Sequence, residues 1–327
     1  MKSKFLVIVL GMWVSCKAIA MTTVAPDTMT VEQQQQFLYY FYEAERLWQN
    51  GQYADAFAMF DFCHELNPAD AITNRYLGHV YNGCNLTNQA LTYYRHAWEQ
   101  DPHECWNEYA VTLYNTGETA HRQEAIRVME QTALTLHQDP DLWDRLRDAY
   151  TGVKEYKKAI AAQDSLDKIE GYGPYSAINR YRIYMLMQAP KKAIAAIEDY
   201  LKEAPTDIQF QMYRMQLYEV TNQPVKKRIA VYQDILALDP YNALALNNYA
   251  YMLATHKGDL HLAEQMSTKA IRVESQNPTY LDTYAWIMHL SGQNELAKLY
   301  IRQAINLLGN NPIPQEVQQH YNAIFAQ

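Results

Sequence analysis

Ten histidines and four cysteines are the side chains in this sequence most able to hold a metal or act as nucleophiles. Their spacing builds neither arrangement. There is no His-Glu-x-x-His pair, no Cys-x-x-Cys and no acidic calcium loop. His256 and His261 fall five residues apart in an expected turn and share no helical face. A Gly-x-Ser-x-Gly elbow and a phosphate-cradling glycine loop are also absent. The residue pattern therefore predicts a chain without catalytic activity, metal or cofactor.

The elements that would carry these side chains are set by an internal repeat. Asn248-Tyr249-Ala250-Tyr251 recurs as Thr283-Tyr284-Ala285-Trp286 at an offset of 35. Ala263 and Ala297, Ala270 and Ala304, and Pro278 and Pro312 are each 34 apart. Eight prolines (Pro68, Pro102, Pro140, Pro174, Pro205, Pro240, Pro278, Pro312) follow one another at intervals of 31 to 38 residues. A period near 34 with an aromatic–small pair, later alanines and a proline is the signature of a stacked helix–turn–helix unit. In each unit a first helix, A, packs on a second, B. Alanines seven apart share a face of helix B and allow close approach, and the proline is expected to end helix B. Only 11 glycines in 327 residues suit an all-helical chain.

These motifs resemble the tetratricopeptide repeat (TPR) family, over residues 36–312. The matches include Gly51, Tyr53, Ala56 and Phe60 in the first repeat, and Gly78, Tyr81, Ala90 and Tyr94 in the second. The third repeat carries four extra residues, expected near Thr119 to Gln123 or in a longer B helix. The sixth lacks the small residue at the tight A–B contact, and Pro190 is expected in the first turn of a helix. The resemblance implies an all-α fold: a right-handed α-solenoid of about eight TPR helix pairs. A C-terminal capping helix over 313–327 would turn Gln318, Gln319 and His320 to water. By repeat position Cys63 is a buried thiol of a B helix, Cys84 lies in an A–B turn and Cys105 opens an A helix, all unpaired.

Residues 1–20 read as a secretory signal. Lys2 and Lys4 precede an apolar run from Phe5 to Val14, and Ala18-Ile19-Ala20 is a small-x-small cleavage site. The rival is a lipoprotein signal acylated at Cys16. A polar connector follows over 21–35, in which Thr30 and Gln33 form an expected capping box. Cleavage removes Lys2, Lys4 and Lys17 and no acid, so the net charge of −8 becomes −11. So acidic a chain excludes nucleic acid, whose phosphates need clustered Lys and Arg.

By the positional rule of the family, the concave groove is lined by Arg75, His79, Asn82, Trp106 and Tyr109 in the second and third repeats. In the last two it is lined by Asn247, Tyr251, Asp282, Trp286 and His289. Phe41, Glu45, Arg75, His79, Trp106 and Ala110 stand where a carboxylate clamp would need Lys, Asn and Arg, so that clamp is absent. The resemblance implies an exported, non-catalytic scaffold that binds a protein or peptide in the periplasm or at the outer membrane. Two alternatives are a glycan- or peptidoglycan-binding accessory protein, with Trp106, Tyr109, Tyr251 and Trp286 as sugar platforms, and a self-associating structural protein.

Overall fold

The computed structural model describes residues 29–326. Among them are seventeen α-helices and no strand. The chain divides into two compact units after Gly171. The first holds α1 (Val31–Gln49), α2 (Tyr53–Leu66), α3 (Ala71–Gly83), α4 (Thr87–Gln100), α5 (Pro102–Asn115), α6 (Thr119–Ala133), α7 (Pro140–Gly152) and α8 (Tyr156–Glu170). The second holds α9 (Pro174–Leu186), α10 (Pro190–Glu203), α11 (Ile208–Val220), α12 (Val225–Leu238), α13 (Ala243–Thr255), α14 (Leu260–Val273), α15 (Pro278–Leu290), α16 (Asn294–Leu308) and α17 (Gln315–Phe325). In each unit every odd helix is an A helix packed on the B helix that follows, and α17 closes the second unit against α15 and α16. The signal and most of the connector lie outside the described residues.

Local chemistry explains the boundaries. Asp70, Asp101, Asp139, Asp207, Asn242 and Asn277 each accept backbone N–H groups at the start of an A helix. Thr30 and Gln33 form the reciprocal capping box at α1. All eight A helices end on a residue with left-handed φ two positions past the helix: Gly51, Asn85, Gly117, Lys154, Gln188, Asn222, Lys257 and Gly292. At seven of them the next N–H reaches back five residues at 2.8–2.9 Å, as from Glu155 to the Tyr150 carbonyl. This is the Schellman closure that turns the chain into helix B. Lys154, at φ 65, has no backbone reason to be lysine. Left-handed geometry costs a side-chain-bearing residue roughly 1–2 kcal/mol, and glycine returns part of that as unfolded-chain entropy. Lys154→Gly should therefore stabilise the first unit by about 0.5–1 kcal/mol in denaturant melts.

The prolines work differently from expectation. Pro102, Pro140, Pro174 and Pro278 occupy the first turn of the next A helix, as Pro190 does in α10. There the fixed φ suits the helix and the missing N–H has no partner to lose. Pro68, Pro205 and Pro240 are second residues of tight turns closed by bonds from Asp70, Asp207 and Asn242 to residues three back. The proline opens the next repeat rather than breaking the previous helix. Of the four extra residues of the third repeat, one lies in α5 and three in the first turns of α6, where Ala125 stands eight residues past Gly117 and Ala90 only five past Asn85.

Close packing follows the small residues. Ala56, Ala90, Ala125, Ala159, Ala193, Ala263 and Ala297 recur on the B helices, all with 0% exposure. In the sixth repeat Arg228 takes this position and pairs with Glu219 at 3.2 Å. On the A helices the tight position is Ala44, Gly78, Ala110, Ala250 or Ala285, but Arg147, Tyr181 and Met215 in the fourth to sixth repeats. The departure expected only in the sixth thus spans three repeats.

Cys63 and Cys105 are buried and Cys84 is partly exposed, and all three are free thiols. Burial pushes the Cys63 and Cys105 thiols up to about 12. Since the thiolate is the reactive form, a maleimide at mildly alkaline pH should label Cys84 first among the three. Labelling of Cys63 or Cys105 at the same rate, read by peptide mass spectrometry, would contradict this packing.

Candidate binding faces

In the first unit one face of α3, α5 and α7 carries a row of polar side chains. Arg75 Nη1 donates to the Glu104 carbonyl at 3.1 Å, tying α3 directly to α5. His79 Nδ1 lies 3.0 Å from the Tyr94 hydroxyl, and its Nε2 is 3.9 Å from Glu108 Oε1. Burial holds the His79 pKa below its ordinary 6.5, against the pull of Glu108. The imidazole is therefore neutral at pH 7, and its approach to Glu108 is not an ion pair there. Arg75 Nε, Asn107 Oδ1 and Glu108 Oε2 are out of contact with water and have no hydrogen-bond partner in the chain. Buried polar atoms of this kind are costly unless something satisfies them.

Beside this row a cavity of about 250 Å³ opens between α5 and α7. Val111, Tyr114 and Met129 supply its apolar wall, and Asp141, Asp144 and Asp148 its acidic edge. Arg147, 5% exposed, sits behind that edge with Asp144 at 2.6 Å, Asp148 at 2.7 Å and Gln163 at 3.2 Å.

Trp106 and Tyr109, expected on this face, are interior instead, at 4% and 1% exposure. Tyr109 accepts from Arg95 Nε at 2.7 Å and donates to Glu124, joining α5 to α4 and α6. The reason is register. α5 has 14 residues against 13 in α3, so counting from its start lands on Trp106, one residue short of Asn107, while Tyr109 falls two short of Val111. Counting back from the A–B turn selects Asn107 and Val111, which sequence reasoning missed. Arg75 and His79 do lie on the face, and Asn82 is exposed.

The corresponding face of the last two repeats is covered by the chain itself. Tyr251 donates to Glu316 of α17. His320 Nδ1 lies 3.0 Å from both carboxylate oxygens of Asp282, with His320 and Asp282 at 6% and 5% exposure. Its ring stacks on Trp286 at 4.3 Å and 15°, and Trp286 stacks in turn on His289 at 5.2 Å. Asn247, 3% exposed, bonds only weakly to Asn248 at 3.4 Å, and its Oδ1 has no partner. His320, expected in water beside Gln318 and Gln319, is thus buried; only the two glutamines are exposed. Val317, His320 and Ile324 share one face at three- and four-residue spacing, the signal that marks His320 as inward.

Among the described residues no three His, Cys, Asp or Glu side chains are placed to hold a metal ion, and no helix is long and apolar enough to cross a membrane.

No family model matches the chain. A TPR repeat-containing protein of Pseudomonas aeruginosa is 29% identical over 197 residues, 59% of this chain and 33% of that protein. The match therefore spans about a third of that relative's length. A tetratricopeptide repeat protein of Parabacteroides merdae aligns over 89% of this chain and 99% of its own, at 10% identity and TM-score 0.45. MamA of Desulfovibrio magneticus aligns over 54% of this chain and 96% of its own, at 18% identity and TM-score 0.39. Those scores are too low to carry the assignment, which rests on the helix pairs, their repeated small residues and the Pseudomonas relative. On that ground the chain is similar to proteins of the tetratricopeptide repeat family.

Proposed function

We propose that this protein is a non-catalytic scaffold that binds a protein or peptide along the A-helix face of its first unit, outside the cytoplasm. The observation that carries the reading is the row Arg75, Asn107 and Glu108, whose polar atoms are withdrawn from water without a partner in the chain. A peptide backbone or polar side chain laid across α3 and α5 would satisfy them once these side chains turn outward to meet it. The adjoining cavity would take a side chain with an aliphatic stem and a cationic head, set between Val111 and Tyr114 on one side and the α7 carboxylates on the other. The signal-like residues 1–20 support export to the periplasm or outer membrane, free after cleavage behind Ala20 or anchored through Cys16. The glycan alternative has less support. Trp106 and Tyr109 are interior, and Tyr251 and Trp286 are engaged by α17.

In-cell crosslinking of the tagged full-length chain, followed by affinity capture and mass spectrometry, tests this. A discrete envelope protein should be captured by the wild type and lost from an Arg75→Ala, Asn107→Ala chain. Capture unchanged by the two substitutions would overturn the assignment of the face.

A further inference from the structure

α17 does more than cover the last B helix. A plain cap needs an apolar face toward α16 and a polar one toward water. Val317 and Ile324 supply apolar contact, at 9% and 0% exposure. The same helix also reaches α15 and α13 through polar groups chosen for what they meet. Glu316 accepts from Tyr251, 65 residues earlier in the chain. His320 sits between the Asp282 carboxylate and the Trp286 ring. This is how a bound helix reads a groove, with anchors at successive turns of one face.

Three further features are those expected of a replaceable occupant. It has 11 residues, too few to be helical without its docking contacts. It hangs on the connection over 309–314, which starts at Gly309 with φ 59 and includes Pro312 and Pro314. It also leaves hydrogen-bonding capacity on the face unused: Asn247 Oδ1, in a side chain 3% exposed, and His289 Nδ1 have no partner. A competing segment that bonds them gains what α17 forgoes.

We propose that the A-helix face of the seventh and eighth repeats is a second helix-binding surface, held closed by the chain's own last helix. Its partner is an amphipathic helix presenting a carboxylate and, four residues on, an imidazole, as Glu316 and His320 do. A tether this short gives α17 an effective concentration on the order of millimolar. Only a partner that binds better than α17 itself, or arrives when α17 is undocked, gains entry. This surface is separate from the first-unit face, and its test does not depend on that reading.

Hydrogen exchange on the intact wild-type chain comes first. Amides of α17 should exchange at least about tenfold faster than those of α13 and α15, by local undocking. Exchange of α17 only with global unfolding of the second unit would overturn the proposal. The second arm uses a fluorescein-labelled peptide of residues 313–326 as probe, added to the full-length Glu316→Ala, His320→Ala chain and to the wild type. It should bind the variant at least about tenfold more tightly than the wild type, where the tethered copy competes. Adding Trp286→Ala to the variant should abolish binding. Binding to neither chain, to both equally, or unchanged by Trp286→Ala would overturn the proposal. If the double variant loses helical signal, the single Glu316→Ala chain, which keeps the His320–Asp282 pair, carries the same comparison.

Discussion

Replacing Phe60 with alanine should destabilise the first unit by about 3–5 kcal/mol. The ring has 0% exposure and stacks on Tyr76 at 4.4 Å and 12°. It also meets the edges of Phe41 at 6.2 Å and Trp48 at 6.4 Å. One side chain of α2 thereby joins its own A helix to the A helix of the next repeat. Its loss removes the transfer free energy of the ring and the aromatic geometry, and leaves a cavity that rigid helices cannot close. Each repeat leans on its neighbours rather than on one shared core. The damage should therefore be local, with faster hydrogen exchange in α1 to α3 and unchanged exchange in the second unit. A loss below about 1 kcal/mol, or one spread evenly over both units, would contradict this account of the packing.

Gly78→Ala should also destabilise, against the usual rule for helices. Alanine improves helix propensity by about 1 kcal/mol over glycine. Here the new Cβ would stand 2.5 Å from Cδ1 and Cε1 of the Tyr94 ring. Tyr94 is 2% exposed and its hydroxyl is bonded to His79, so the ring cannot swing away without surrendering that bond. Overpacking of this kind costs roughly 1–3 kcal/mol, and the clash outweighs the propensity gain. The control is Gly83→Ala in the same helix, where a Cβ meets nothing within 4 Å and stability should rise slightly. Equal or greater stability for Gly78→Ala would mean that Tyr94 repacks freely. Because Tyr94 holds His79, the same substitution should weaken binding on the first-unit face.

The helix pairs were legible because tight contacts admit few residue types. Seven B-helix alanines at 0% exposure repeat with the period that the eight prolines mark. The left-handed turn residues were illegible, because only three of the eight are glycine and backbone closure imposes the conformation on Lys154, Gln188 and Lys257 as well. The candidate faces were half legible. Arg75, His79, Asn247, Asp282 and Trp286 all lie on A-helix faces, since position within a repeat sets direction. Trp106 is misplaced by one extra residue in α5, a shift that rotates a position by a quarter turn or so, and Tyr109 falls two residues short of Val111. His320 was misplaced because polarity was given more weight than helical period. A histidine between a carboxylate and an indole is satisfied inside, and only the fold brings Asp282 and Trp286 to it.

The central claim is that the A-helix face of the first unit holds a protein partner, and site-specific photo-crosslinking tests it most directly. A benzophenone amino acid would be placed in the full-length chain at Asn82, exposed on α3, and in a second chain at Glu99, exposed on α4. Irradiation in cells should give a discrete adduct from position 82 and none from position 99. An adduct from position 99 alone, equal adducts from both, or none from either would contradict the claim.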